Sequence, residues 1–257
     1  MQTFINCFKG EWIKKRRSFA GWLVWVGAFF IPVINTIIFL VYPKQAIKLH
    51  VGDNFWTNLF LQSWESMSLM LLPMGIVLAV SLITQVEFKN NTWKQLHTAP
   101  VPFTSIFFSK LGVLLIMLLQ LFILFNIGIF ISAVIPPILH SEIPFPKLNI
   151  PFSYILEQNG KFFLACFPLL ALQYLISLQF KNFLIPIGGG LALVIGGLIA
   201  LSWKYNYLIP STYISLSFFE SLGKTSQQHN ILLLSAMYFL LLTISGYILY
   251  LFKKEKG

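Results

Sequence analysis

The sequence predicts an all-α polytopic membrane protein, a single transmembrane domain over 1–257 with six membrane-spanning helices. Composition, the spacing of long apolar runs and the placement of basic residues predict it. Hydrophobic residues make up 57% of the 257 and charged residues 10%. A soluble domain carries roughly 25% charged residues, so this chain lacks the charge to cover a water-facing surface. Mean hydropathy is +0.77. The net charge of +10 does not point to nucleic acid, because the basic residues flank apolar runs instead of forming a stripe with polar contact groups.

A span needs about 20 mostly apolar residues. The runs that meet or approach this are 19–41, 59–86, 106–135, 161–179, 183–203 and 231–252. The fourth and fifth are separated only by Gln179-Phe180-Lys181-Asn182, so a hairpin that fails to cross is the alternative there. Lys14-Lys15-Arg16-Arg17 before the first run resembles a signal peptide. Phe19–Val41 is 23 residues, however, against roughly 7–15 for a signal h-region, and the helix is expected to stay.

With the N-terminus inside, the inner segments hold Lys9, Lys14, Lys15, Arg16, Arg17, Lys89, Lys94, Lys110, Lys181, Lys253, Lys254 and Lys256. The outer segments hold Lys44, Lys48, Lys147, Lys161, Lys204 and Lys224. Cytoplasmic loops carry the excess of Lys and Arg, so both termini are expected in the cytoplasm, with the chain in the inner or plasma membrane.

Four further segments stand out. Phe4, Ile5, Phe8, Trp12 and Ile13 follow helical spacing, with Lys9, Glu11, Lys14 and Lys15 mostly on other faces. This predicts an N-terminal helix in the interface plane, its lysines towards anionic headgroups. Prolines 136, 137, 144, 146 and 151 predict an irregular connection over 136–160. Residues 207–219 are apolar, aromatic and too short to span, which predicts a short membrane-dipping segment before the last helix, begun by Pro210-Ser211-Thr212. Gly188-Gly189-Gly190 and Gly196-Gly197 suggest a close-packing face on the fifth span.

Catalytic chemistry is not visible. No G-x-x-x-x-G-K-[ST] occurs, and Gly223-Lys224-Thr225 has Phe218 where the leading glycine belongs. His50, His97, His140 and His229 fall in expected loops and form no metal spacing. Cys7 and Cys166 are expected at different depths, which argues against a disulfide. No cofactor is implied. Glu65, Gln120 and Asn126 are polar groups within apolar runs and are candidates for a substrate path. If the second helix starts near Leu59, Glu65 lies about 9 Å inside it, where an acid is costly and usually functional. If Ser66–Val86 alone spans, Glu65 sits among outer headgroups.

The longest inner connection is Glu87-Phe88-Lys89-Asn90-Asn91-Thr92-Trp93-Lys94-Gln95-Leu96-His97-Thr98-Ala99-Pro100-Val101-Pro102. Trp93 and Leu96 at i, i+3 fit a short helix ended before Pro100, suited to a groove on a partner. The alternative is a loop resting on headgroups, with Trp93 as an interface anchor. The order of an acid (Glu87), Thr92, Leu96, Pro100 and a lysine entering the third span (Lys110) resembles the ABC-2 type permeases of ABC transporters. Asn91 stands where that pattern has glycine, and Phe103-Thr104 where it has a basic residue.

The resemblance implies a transport subunit, not an enzyme. It implies two copies of a cytoplasmic ABC ATPase, which binds the ATP, and a second permease copy or paralogue. Glu87, Phe88, Lys89, Thr92, Trp93, Leu96 and Pro100 would form the helix that couples to that ATPase. Within the family the chain is most similar to bacteriocin or lantibiotic immunity and drug-efflux subunits, exporting a peptide, drug-like or amphipathic substrate. Service in metalloenzyme maturation, lipid or polysaccharide export, or a channel or scaffold without ATP coupling, are the alternatives.

Overall fold

The structure, a computed structural model, describes residues 2–16, 18–52, 54–89, 101–224 and 230–252, with the backbone alone at 87–89. The described residues form helices and connecting turns. In order these are α1 (Gln2–Arg16), α2 (Phe19–Val41), α3 (Pro43–Val51), α4 (Phe55–Ser66), a π turn (Met67–Leu71), α5 (Leu72–Lys89), α6 (Phe103–Leu139), α7 (Phe152–Ala165), α8 (Phe167–Gln179), α9 (Leu184–Ala200), α10 (Tyr213–Ser221) and α11 (Ile231–Leu251). Five stretches are long and apolar enough to cross a membrane: Phe19–Val41, Phe55–Val86, Phe103–Leu139, Phe152–Gln179 and Ile231–Leu251. The protein is therefore an all-α polytopic membrane protein. The apolar α9 has 17 residues, fewer than the roughly 20 of an upright crossing.

The bundle closes around Trp64, which is fully buried. Its ring lies 4.7 Å from Phe162 on α7, and 5.0 and 5.1 Å from Phe122 and Phe125 on α6, between centroids. Phe218 of α10 reaches the same cluster through Phe162. α10 is buried from Tyr213 to Phe218 against α7 and the π turn, because nearly every side chain on it is apolar or a small serine. It ends at Gly223, whose φ of +65° sets the turn that lets Lys224 N–H donate to the Phe219 carbonyl, as an αL helix end does. That is the role of the glycine in Gly223-Lys224-Thr225.

Several expected boundaries move. The second span begins at Phe55, not Leu59, because Phe55, Trp56, Leu59 and Phe60 form a buried face that the intervening polar residues hide. The third helix runs through Pro136-Pro137, where an irregular segment is expected. Pro137 has no N–H for the Ala133 carbonyl, and the His50 Nε2 stands 3.3 Å from that oxygen, while Nδ1 stands 2.8 Å from Ala46 O. The prolines are thus accommodated at the helix end. The irregular stretch is confined to 140–151, and the fourth helix starts at Phe152.

The packing glycines on α9 are Gly190 and Gly197, one face apart by two turns. A Cβ on Gly190 would run into the Gln173 side-chain carbonyl and stand 2.6 Å from Val77; one on Gly197 would meet Ser211 Oγ. Gly188, Gly189 and Gly196 have open space. Gln173 Nε2 donates to Ser81 Oγ and to the Pro186 carbonyl, both at 2.8 Å, so α5, α8 and α9 are joined by polar bonds inside an apolar bundle. Gly190→Leu should lower stability by about 1–3 kcal/mol through overpacking, whereas Gly188→Leu should leave it unchanged. Thermal unfolding in detergent, followed by fluorescence size-exclusion, distinguishes the two.

Candidate functional site

The connection between α5 and α6 is where the sequence places contact with an ATPase. Thr92, Trp93, Leu96 and Pro100, and with them the expected short helix, lie outside the described residues. Glu87, Phe88 and Lys89 form the last turn of α5, and α6 restarts at Phe103. The two ends of the connection are therefore fixed on two long helices of the bundle.

Lys110 lies seven residues into α6, about 10 Å from its start at 1.5 Å per residue. It is 1% exposed and its Nζ stands 2.9 Å from Glu11 Oε2 on α1, itself 5% exposed. Glu11 Oε1 also takes Lys14 Nζ at 2.6 Å. One turn on, Lys15 Nζ donates to Gln120 Oε1 at 2.6 Å and sits 4.4 Å from the Trp12 ring centroid. Phe8 fills the space beside Gly112, 3.4 Å from where a Cβ would be. The sequence puts Lys15 on the headgroup side; the structure turns it inward, where the Gln120 amide of α6 and the indole face of Trp12 on α1 are its partners. Burial lowers the Lys15 ammonium pKa from its ordinary value by disfavouring the charged form. Phe4, Ile5 and Ile13 are the large hydrophobic side chains of α1 left exposed.

The third feature is a polar stripe on α4. Asn54, Asn58, Gln62, Glu65 and Ser66 are all exposed and share one face at helical spacing. Trp56, Leu59, Phe60, Ser63 and Trp64 make the buried face. Glu65 is ten residues past Phe55, about 15 Å along the helix, and the helical path changes pitch directly after it. The Leu72 N–H donates to the carbonyl of Met67, five residues back, and such π turns occur often at functional sites.

Of the candidate path residues, Glu65 is thus on an exposed polar face. Gln120 is held by Lys15. Asn126 is paired with Asn159 and lines an apolar cavity. These three are not brought together. Sequence reasoning missed Glu11, Asn58, Gln62 and Asn159. The repeat of Asn54, Asn58 and Gln62 every four residues was the available signal for the stripe. Nothing local marks the pairing of Glu11 with Lys110, which lies 99 residues away. Among the described residues no three His, Cys, Asp or Glu are grouped so as to hold a metal.

The model of one family, ABC-2 family transporter protein, matches residues 7–198. The chain belongs to the ABC-2 transporter family. No curated protein and no solved structure matches it. Membership makes this ABC-2 protein a membrane-embedded permease component and implies pairing with a cytoplasmic ATPase. The matched residues include Glu11, the α4 stripe, the whole α5–α6 connection and Lys110, and end within α9.

Glu11→Gln removes the carboxylate facing Lys110 inside the bundle, a change that typically costs about 3–5 kcal/mol. The double substitution Glu11→Gln with Lys110→Met should recover a large part of that loss. A double-mutant cycle on thermal stability in detergent checks both values.

Proposed function

We propose that this chain is the permease of an ATP-driven exporter that moves a peptide, drug-like or amphipathic substrate out of the cytoplasm or the membrane. The observation that carries this reading is the exposed polar face of α4. An acid and three amides turned towards lipid are expensive, so the face lines a wet path, closed by a second permease copy or paralogue. Glu65 then sits in that path and favours cationic groups on the cargo.

Six crossings complete the arrangement, with α9 as the fifth. Gln85 Nε2, bonded at 2.9 Å to the Phe180 carbonyl, holds the short turn that leads into it. Both termini face the cytoplasm, as the basic clusters at 14–17 and 253–256 favour. α1 lies at the inner interface, its exposed Phe4, Ile5 and Ile13 in the acyl boundary. α10 dips into the bundle from the other side.

Residues 87–100 form the element that docks into each of two ATPase copies, through Glu87, Phe88, Lys89, Thr92, Trp93, Leu96 and Pro100. Motion imposed on that element reaches the start of α6. From there the Lys110–Glu11 ion pair carries it to α1, and the tight turn at Ser18 passes it to α2. ATP closure of the partners thereby moves two helical units of the permease, not one loop.

Trp93→Asp and Leu96→Asp should abolish co-purification of the ATPase while the permease still inserts. Retained co-purification would refute the docking assignment. Glu65→Gln should lower export of a cationic substrate by roughly ten- to hundredfold, the scale of one charge-assisted contact of about 1.5–3 kcal/mol. Cellular accumulation assays with a panel of cationic and neutral compounds read the change.

A further inference from the structure

A cavity of about 720 Å³ opens between α4, α6 and α7, within the range of roughly 300–1,000 Å³ typical of ligand sites. Trp56 and Phe60 of α4, Phe122 of α6 and Phe163 of α7 form apolar walls, and the Asn126–Asn159 pair is set among them. The mouth is flanked by Ile123 and Leu156, 54% and 76% exposed. Gly160 borders it, and nothing lies within 4 Å of where its Cβ would be. All three walls belong to stretches long and apolar enough to cross a membrane, so hydrocarbon is the medium expected at the mouth.

The cleft is poorly suited to water, which needs two to four polar partners, and leaving it empty forfeits dispersion contacts along every wall. A flexible hydrocarbon chain drawn from the bilayer fits both conditions. The two amides add selectivity. Asn126 Nδ2 donates to the Phe122 carbonyl and to Asn159 Oδ1, both at 2.8 Å. Asn159 Nδ2 donates to the Ile155 carbonyl at 2.8 Å and to Asn126 Oδ1 at 3.0 Å. Both NH₂ groups are therefore spent, while each Oδ1 retains a second lone pair. The pair offers acceptors only, and among the described residues no ionised group lines the cleft. It reads a neutral donor, a hydroxyl or an amide N–H, and turns away phosphate and carboxylate.

We propose that this cleft binds the hydrocarbon chain of a bilayer lipid that carries a hydroxyl or amide N–H beside the chain, with the Asn126–Asn159 oxygens accepting that hydrogen. At about 100° per residue, Trp56 and Phe60 lie on the side of α4 opposite Asn58, Gln62 and Glu65. The site is thus separate from the polar face and does not rest on the export reading.

The test uses the full chain in phosphatidylcholine vesicles containing an amide-linked lipid with a diazirine in its acyl chain. An ester-linked probe of the same chain and diazirine position runs in parallel. After illumination, adducts of the amide-linked probe should concentrate on peptides from 119–130 and 155–163 and exceed those of the ester-linked probe. Gly160→Trp fills the cleft from α7 and Ile123→Trp from α6. Either should cut these adducts by about tenfold, the loss equivalent to ~1.4 kcal/mol of binding. Gly160→Ala should not. Asn126→Leu with Asn159→Leu should make the two probes label equally. Labelling spread evenly over the lipid-facing helices, or unchanged by both tryptophans, would overturn the site. Displacement of the label by a hydrophobic peptide but not by excess unlabelled amide lipid would overturn the lipid assignment.

Discussion

Hydrocarbon offers no hydrogen bonds, and that constraint organises most of this structure. Each peptide group within a span must find its partner inside the protein, so the chain is helical wherever it crosses, and departures from regular helix are repaired locally. The Pro137 gap faces His50. The break between α7 and α8 is closed by the Cys166 N–H, which reaches the carbonyls of Phe162 and Phe163. The π turn keeps its bonds by shifting them one residue. Several side chains follow the same logic: Ser81 accepts from the Gln173 amide and pairs with Ser177, and Asn126 is joined to Asn159. The open amides and acid of α4 stand apart from these pairs on an exposed face, and in the proposed exporter that face meets a second surface or water.

The ion pair between Glu11 and Lys110 has a different place in the fold. A buried pair is weak evidence for stability, since desolvating two charges offsets much of their attraction. What it supplies is registry. Lys110 enters α6 shortly after the connection from α5, and Glu11 fixes the N-terminal helix to that level of the bundle, with Lys15 and Gln120 as a second tie. α1 continues into α2 through a turn closed by Ser18 and Lys15. The first helix, the first span and the start of the third span are thereby one mechanical unit, seated beside the segment through which an ATPase partner would act.

The membrane class was legible in composition and run length, and the ends of α2 were readable to the residue because a basic cluster precedes it and Tyr42-Pro43 follows it. The start of α4 was not, since Asn54, Asn58 and Gln62 dilute the apolar signal on the face that is exposed, while Phe55, Trp56 and Phe60 carry it on the face that is buried. Pro136-Pro137 read as a helix stop because proline removes local bonds, and the ring that faces the freed Ala133 carbonyl belongs to His50, 87 positions from Pro137 in sequence. Lys110 was visible as part of a family pattern, but a pairwise contact between positions 11 and 110 leaves no periodic trace. Gly190 and Gly197 could not be told from Gly188, Gly189 and Gly196 without knowing which side of α9 meets α5 and α8.

The claim on which the mechanism turns is that the connection between α5 and α6 projects into the cytosol. Its most direct test replaces Cys7 and Cys166 with Ser, introduces a single cysteine at position 94, and applies a membrane-impermeant maleimide to intact cells and to inside-out vesicles. The account predicts labelling of the vesicles alone. Labelling of intact cells would put the connection on the outer face, beyond the reach of any cytoplasmic ATPase.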